Sequence, residues 1–277
     1  MIFVSYVRKL KFSYLSILCP QNSMYPLKNI IPIFIASLIF GACSSNEVTP
    51  EIVLIQPKTL TIVTFNEANP TNISYTWKDN LITSFVVKTL NTATNQDFIR
   101  KYDVTRNDKK LIQSILYTYE GGGFPDGNTV QNYIYNADNT QINYLSTTWT
   151  YNKSGNLSNL IYGSRAISGF VEYNYNSSNQ LTRMSWKEGS YLDNTNTISS
   201  FTNIENPLYN IAKSIQFLSV TINNTDLTMS SLTSLPKSYN NGLVDNFVTY
   251  EVDAQNRATS ITISNNGIIL KKYTFTY

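Results

Sequence analysis

The stretch Tyr173-Asn-Tyr175-Asn-Ser-Ser-Asn179-Gln-Leu181-Thr-Arg-Met184 constrains this chain more than any other, because the chain writes it again. It returns as Trp149-Thr-Tyr151-Asn-Lys-Ser-Gly155-Asn-Leu157-Ser-Asn-Leu160 and as Tyr250-Glu-Val252-Asp253-Ala-Gln-Asn256-Arg-Ala258-Thr-Ser-Ile261. Tyr133-Ile-Tyr135-Asn136-Ala-Asp-Asn139, ahead of Ile142 and Tyr144, is a looser copy, and Tyr75-Thr-Trp77-Lys-Asp-Asn80-Leu81-Ile82 a shortened one. Each copy reads aromatic, any residue, aromatic or apolar, then Asn or Asp, a short polar turn holding Asn or Gly, and an apolar return. Alternate side chains of a strand share a face, so the aromatic pair lands on one side. The Asn or Gly falls where a tight reversal needs positive φ, which those residues tolerate best. The unit is therefore a strand, a turn and a returning strand. Asn-Gly in "NNG" at 240–242 and again at 265–267 predicts type I′ hairpins, the second joining Ile261-Thr-Ile263 to the strand Tyr273-Thr-Phe275-Thr-Tyr277. A chain made of such units is all-β: an antiparallel meander of hairpins in a strongly curled or barrel-like sheet.

One segment leaves the period. From Asn206 the chain reads "NPLYNIAKSIQFLS", with Asn at an N-cap, Pro207 at the first helical position and Leu208, Ile211, Ala212, Ile215 and Leu218 on one face. This predicts an amphipathic helix of about three turns, packed on the concave side or mouth of the sheet, with "LTMSSLTSLP" as a second, weaker cover. The alternative for its second half is a strand from Ser214 to Ile222.

The N-terminus speaks to location. Residues 1–42 hold Arg8, Lys9, Lys11 and Lys28, no acid, and two apolar stretches interrupted by Pro20 and Pro32. Neither stretch reaches the roughly 18 residues of a spanning helix, so a secretory signal is expected. Met24 begins a complete one by itself, with Lys28, an apolar run from Ile30 to Phe40 and the small pair Gly41-Ala42 before Cys43. Residues 1–23 then read as an over-extended start. Cys19, preceded by the bulky Leu18, does not offer the small side chains a signal peptidase needs. The expected organisation is a signal peptide over 1–42, a lipidated tether over 43–50 and a single β-meander domain over 51–277 with an insertion around 190–236.

Two resemblances follow from these residues. "LIFGAC" resembles a bacterial lipobox, with Phe40 where leucine or another aliphatic is usual. It implies acylation of Cys43 and anchoring in the bacterial envelope, on the outer membrane, facing periplasm or surface. The other reading is a plain signal peptide with an incidental cysteine. The repeats resemble the YD units of Rhs-type proteins, although Asn mostly replaces Asp and only Gly155 keeps the glycine. Lipobox and repeats together are similar to a class of Bacteroidota lipoproteins whose domain is a curled, porin-like antiparallel sheet. That resemblance implies a fold and a location and lends no activity.

Composition removes several functions. Without the four basic residues of 1–42, 17 Lys+Arg face 18 Asp+Glu, and the net charge moves from +3 to −1. No basic stripe remains for nucleic acid. The chain has no histidine, and of its two cysteines Cys19 is expected to leave with the signal peptide and Cys43 to be acylated, so His-dependent triads and the usual zinc sites are excluded, no disulfide is expected, and no cofactor is implied. Gly121-Gly122-Gly123 precedes Phe124-Pro125-Asp126, not a Lys-Ser/Thr opening a helix, and reads as a surface loop. Glu120, Asp126, Glu172, Glu188 and Asp193 supply acids for a glycosidase pair only if the fold gathers them. Asp193-Asn-Thr-Asn196 is a weak calcium turn. Most repeat aromatics read as core or cross-strand pairs, while Trp77 and Trp186 are the candidate platforms for a sugar ring or peptide.

The expected function is a membrane-anchored, non-catalytic envelope module, for binding or structural support, with a glycan or protein partner. The alternatives are a glycan-binding or glycan-acting surface protein and an integral outer-membrane β-barrel. The second is suggested by the aromatic terminus Tyr273-x-Phe275-x-Tyr277, which resembles a barrel-assembly signal.

Overall fold

Asn107, Asn136, Asn152, Asn176 and Asp253 each build the same reversal, and these reversals organise the sheet. In all but the looser turn at Asn136, the side-chain oxygen accepts from the backbone N–H groups two and four residues ahead, as in Ser178 N to Asn176 Oδ1 at 3.0 Å and Gln180 N to Asn176 Oδ1 at 2.9 Å. The residue three places on adopts positive φ: Lys110, Asn139, Gly155, Asn179 and Asn256. The computed structural model describes residues 55–277 apart from Phe124, 165–166, 189–190 and 219–226. Cys43, Met24, the signal peptide and the tether over 43–50 lie outside the described residues.

Seventeen strands among the described residues form one antiparallel sheet. They are β1 (Thr59–Thr64), β2 (Thr71–Lys78), β3 (Leu81–Asn91), β4 (Gln96–Arg106), β5 (Ile112–Gly121), β6 (Gly127–Asn132), β7 (Ile134–Tyr135), β8 (Gln141–Tyr144), β9 (Thr147–Tyr151), β10 (Leu157–Ser164), β11 (Ile167–Tyr175), β12 (Leu181–Glu188), β13 (Tyr191–Glu205), β14 (Ser234–Asn240), β15 (Asp245–Val252), β16 (Ala258–Asn265) and β17 (Ile268–Thr276). Strands pair with their neighbours in sequence, and β1 pairs with β17 as well as β2, which curls the sheet round on itself. β6 and β7 are one pass of the chain: β6 pairs with β5, Tyr133 N still donates to Gln113 O at 3.0 Å, and β7 pairs with β8.

Because the meander alternates direction, the repeat turns all lie at one end, here the turn end, together with Ile55, Gln56 and the terminal Tyr277. Asp79 and Asn80, both at positive φ, close β2 to β3 there. At the opposite end Asn266 and Gly267 both take positive φ, as a type I′ hairpin requires. The expectation for 240–242 is corrected. That loop spans 241–244, only Gly242 has positive φ, and the Asn241 side chain accepts from Leu243 N and Val244 N instead.

The apolar face of most strands points inward, β6 and β7 excepted. On β2, Ile73 and Tyr75 are buried while Asn72, Ser74 and Thr76 are exposed; on β11, Val171 and Tyr173 are buried and Glu172 and Asn174 exposed. Rings line the inner wall from strand to strand, Phe85 stacking on Tyr102 at 4.4 Å and Tyr102 on Tyr117 at 5.0 Å. The repeat phrase divides its aromatics by task. Tyr133, Trp149 and Tyr173 are buried, whereas Tyr135, Tyr151 and Tyr175 send their hydroxyls to the carbonyls of Ile112, Gln216 and Leu157.

A barrel with an apolar inner wall needs filling, and the departure from the repeat fills it. Between β13 and β14 the chain turns into the barrel as α1 (Pro207–Ser214) and, after 219–226, the short α2 (Leu227–Ser230). Asn206 caps α1 by accepting from Leu208 N at 3.0 Å, and Pro207 follows it. All of α1 but Lys213 is buried, so the helix is covered on the face opposite its apolar stripe as well. Gln216 and Phe217 at positive φ end it, and Ser214–Leu218 form no strand.

Candidate functional site

The plug occupies the turn-end half of the barrel and is bonded to the wall all round. Arg106 on β4 donates to Ser214 O, the cationic head meeting the carbonyl end of α1. Gln216 Oε1 accepts from Ile112 N at 2.7 Å and lies 2.8 Å from the Tyr135 hydroxyl. Tyr209 OH donates to Asn156 Oδ1, and Asn196 Nδ2 on β13 to Thr228 Oγ1 on α2. Asn206 joins the two helices, its Nδ2 donating to Met229 O at 2.6 Å and Leu232 O at 2.8 Å.

Beyond α2 the interior opens as a cleft of about 510 Å³. Its lining comes from strand ends remote from the repeat turns: Tyr162 near the close of β10, Trp186 near the close of β12, Asn194 early in β13, Asn246 in β15 and Leu270 in β17. Leu243, 86% exposed in the loop between β14 and β15, forms part of the rim, and Thr228 and Met184 meet at the base, 3.8 Å apart. Gly169 shapes one wall. It faces Tyr162 across the β10–β11 ladder, and a Cβ there would stand 2.4 Å from the phenol ring, so only glycine lets the ring lie against β11.

The electrostatics of this cleft are those of neutral dipoles. None of the described residues that line it is Asp, Glu, Lys or Arg; the polar ones among them are Asn194, Asn196, Thr228, Asn241 and Asn246 with the phenols of Tyr162 and Tyr239. Asn196 and Asn246 are 4% and 3% exposed, and the Oδ1 of each has no hydrogen-bond donor. Leaving such an oxygen buried and unpaired costs about 1–3 kcal/mol.

Trp186 therefore stands in the cleft, half-buried and opposite Val171 and Asn194 in the ladders. Trp77 lies at the other end, beside the turn at Asp79-Asn80, where its indole N–H donates to Pro57 O at 2.8 Å and its ring meets Tyr75 at 6.4 Å. The two tryptophans are not brought together. The calcium turn is corrected: Asn194–Asn196 run within β13, where alternation sends successive side chains to opposite faces, and the described residues hold no group of three acids, His or Cys fit for a metal. None of the three acids whose side chains are described lines the cleft. Glu120 pairs with Lys101 at 3.0 Å on the outer wall, Asp126 accepts from Gly121 N at 3.2 Å, and Glu172 faces outward; the side chains of Glu188 and Asp193 lie outside the described residues. The three glycines form the turn between β5 and β6, all at positive φ. Asn241, Asn246 and Tyr239 carry no signal in the sequence, because nothing local marks an asparagine as cleft-lining when the chain uses asparagine at most of its turns.

A second recess of about 620 Å³ lies at the turn end, between Gln56, Glu205, Arg257 and Tyr277. Its charged groups already have partners: Arg257 sits 2.6 Å from Asp253 and 4.3 Å above the Tyr277 ring, and Glu205 accepts from Asn210 at 2.6 Å.

No family model matches the chain, and no curated relative does. Among solved structures it is similar to a porin-like protein from Bacteroides uniformis, 13% identical, over 79% of this chain and 95% of that one, with a TM-score of 0.37. It is also similar to a porin-like protein from Bacteroides vulgatus, 11% identical, over 80% of this chain and 98% of that one, with a TM-score of 0.35. Likenesses this distant say nothing of what this chain binds.

Proposed function

We propose that this chain is a non-catalytic binding module of the bacterial envelope, a water-facing plugged barrel held to the outer membrane through an acyl group on Cys43, whose ligand site is the cleft around Trp186. One observation carries the water-facing part: the barrel is apolar inside and polar outside. Lipid-exposed barrels invert this, with an apolar outer band about 25 Å tall around a polar lumen. Here the outward positions of β4 are Asp97, Ile99, Lys101, Asp103 and Thr105, and those of β15 include Asp245, Thr249 and Glu251. Exposed apolar side chains such as Val130, Ile161 and Phe247 are interspersed among these. The terminal aromatics Tyr273 and Phe275 are buried in the core.

Ile55 and Gln56 come in at the turn end, and the cleft opens at the other. The test is fractionation of full-length protein in a Gram-negative host. Wild type is expected in the membrane fraction with diacylglycerol on Cys43, and Cys43→Ala in the soluble fraction. A Cys43→Ala protein that stays in membranes after carbonate washing and migrates as a heat-modifiable band would overturn this reading in favour of an integral barrel.

A further inference from the structure

We infer that the cleft binds a neutral sugar residue, the face of its ring laid on the indole of Trp186 and its hydroxyls donated to the carboxamide oxygens of Asn196 and Asn246. This rests on the reading of the barrel as a binding module and names the ligand class of the same site.

Four observations select that chemistry. Asn196 and Asn246 are more than nine-tenths buried, line the cleft from β13 and β15, and hold carboxamide oxygens that lack donors, so an occupant that reaches those oxygens must bring hydroxyl or N–H groups. The apolar part of the lining is aromatic at Tyr162, Trp186 and Tyr239, which suits a flat ligand with one apolar face. The absence of charge among the described lining residues tells against anionic and cationic ligands, which would surrender their hydration with no counter-charge from those residues in return. The volume, about 510 Å³, falls in the range of about 300–1,000 Å³ typical of small-ligand sites.

Competing occupants fail on the same residues. An acyl chain has no donors and would leave both oxygens unpaired. A pyranose offers an apolar C–H face and a rim of hydroxyls, each of which donates and accepts.

The experiment is calorimetry and tryptophan emission on the full-length protein against an array of neutral oligosaccharides covering glucans, mannans, galactans, xylans and N-acetylglucosamine oligomers. An oligogalacturonate and a fatty acid serve as charged and apolar comparisons. A neutral oligosaccharide is expected to bind and shift the emission. Trp186→Ala should weaken it about tenfold or more, Asn196→Leu and Asn246→Leu about fivefold to tenfold each, and Trp186→Phe should recover part of the loss. Trp77→Phe should leave affinity unchanged. Circular dichroism of each variant separates lost binding from lost folding. No binding across the neutral array by folded protein, preference for the oligogalacturonate or the fatty acid, or full affinity in Trp186→Ala would each overturn the inference. These outcomes are independent of where Cys43→Ala fractionates, so the ligand class can fail while the tethered module stands, and the reverse.

Discussion

Lys110 stands, at φ 62°, where Asn139, Gly155, Asn179 and Asn256 stand in the sister turns. A Cβ in that region costs about 1–2 kcal/mol, glycine almost nothing. Lys110 contributes backbone groups to the structure around it, its N–H donating to Asn107 O at 2.8 Å and its carbonyl accepting from Arg106 at 3.0 Å, and glycine keeps both. Lys110→Gly is therefore expected to stabilise the protein by about 0.5–1 kcal/mol, read as a raised denaturant midpoint; an unchanged or lowered midpoint would show that this turn carries no such strain. The same position explains why one reversal escapes a reading of the sequence. Asn179 and Gly155 announce positive φ by their identity, whereas lysine does not, and only Asn107 three residues earlier marks the turn. Trp77 illustrates a different limit. Its spacing from Tyr75 is legible, but the irregularity between Thr76 and Trp77 and the bond to Pro57 O make it a clamp on the incoming chain, and neither can be read from a tryptophan near a turn.

Among the elements, the plug depends most on a single side chain. Asn206, fully buried, caps α1 through its oxygen and ties α2 through its nitrogen, so each of its polar atoms is used. Asn206→Ala removes the cap and leaves the carbonyls of Met229 and Leu232 without that donor inside the barrel. The expected loss is roughly 2–4 kcal/mol, a cap plus unpaired buried acceptors, measured by denaturant unfolding. A loss below about 1 kcal/mol would mean that the two helices hold together through apolar packing alone. The helix was legible because Asn206, Pro207 and the stripe from Leu208 to Ile215 follow the rules of an N-terminus and a 3.6-residue period. Its enclosure was not. A stripe predicts one covered face, yet Tyr209 and Asn210 are also buried, because a curled sheet surrounds the helix instead of lying under it. The cleft was legible only at Trp186. Its other walls come from positions as far apart as Tyr162 and Leu270, which no local pattern connects and only the curling of the sheet brings together.

At the scale of the whole molecule, the interior is a tyrosine-rich, water-excluded space, and this sets how the fold responds to pH. Burial pushes Tyr135 and Tyr209 up to about 12, and it pushes Tyr75, Tyr133, Tyr151, Tyr175 and Tyr277 above the ordinary phenol value as well. Removing a phenol from water disfavours its charged form, so the folded state holds these protons more tightly than the unfolded chain, where tyrosine titrates near about 10. The sign follows from linkage: the stabilisation is complete below about pH 10 and is lost as pH rises through about 12. With few surface ion pairs and no histidine, little in the described structure opposes this between neutral and mildly alkaline pH. An alkaline titration followed by tyrosinate absorbance and far-ultraviolet circular dichroism should therefore show the β signal collapsing together with a cooperative burst of tyrosine ionisation. If the tyrosines instead ionise gradually around about pH 10 while the sheet persists, the hydroxyls of the repeat aromatics reach water, and the barrel is not filled as its plug implies.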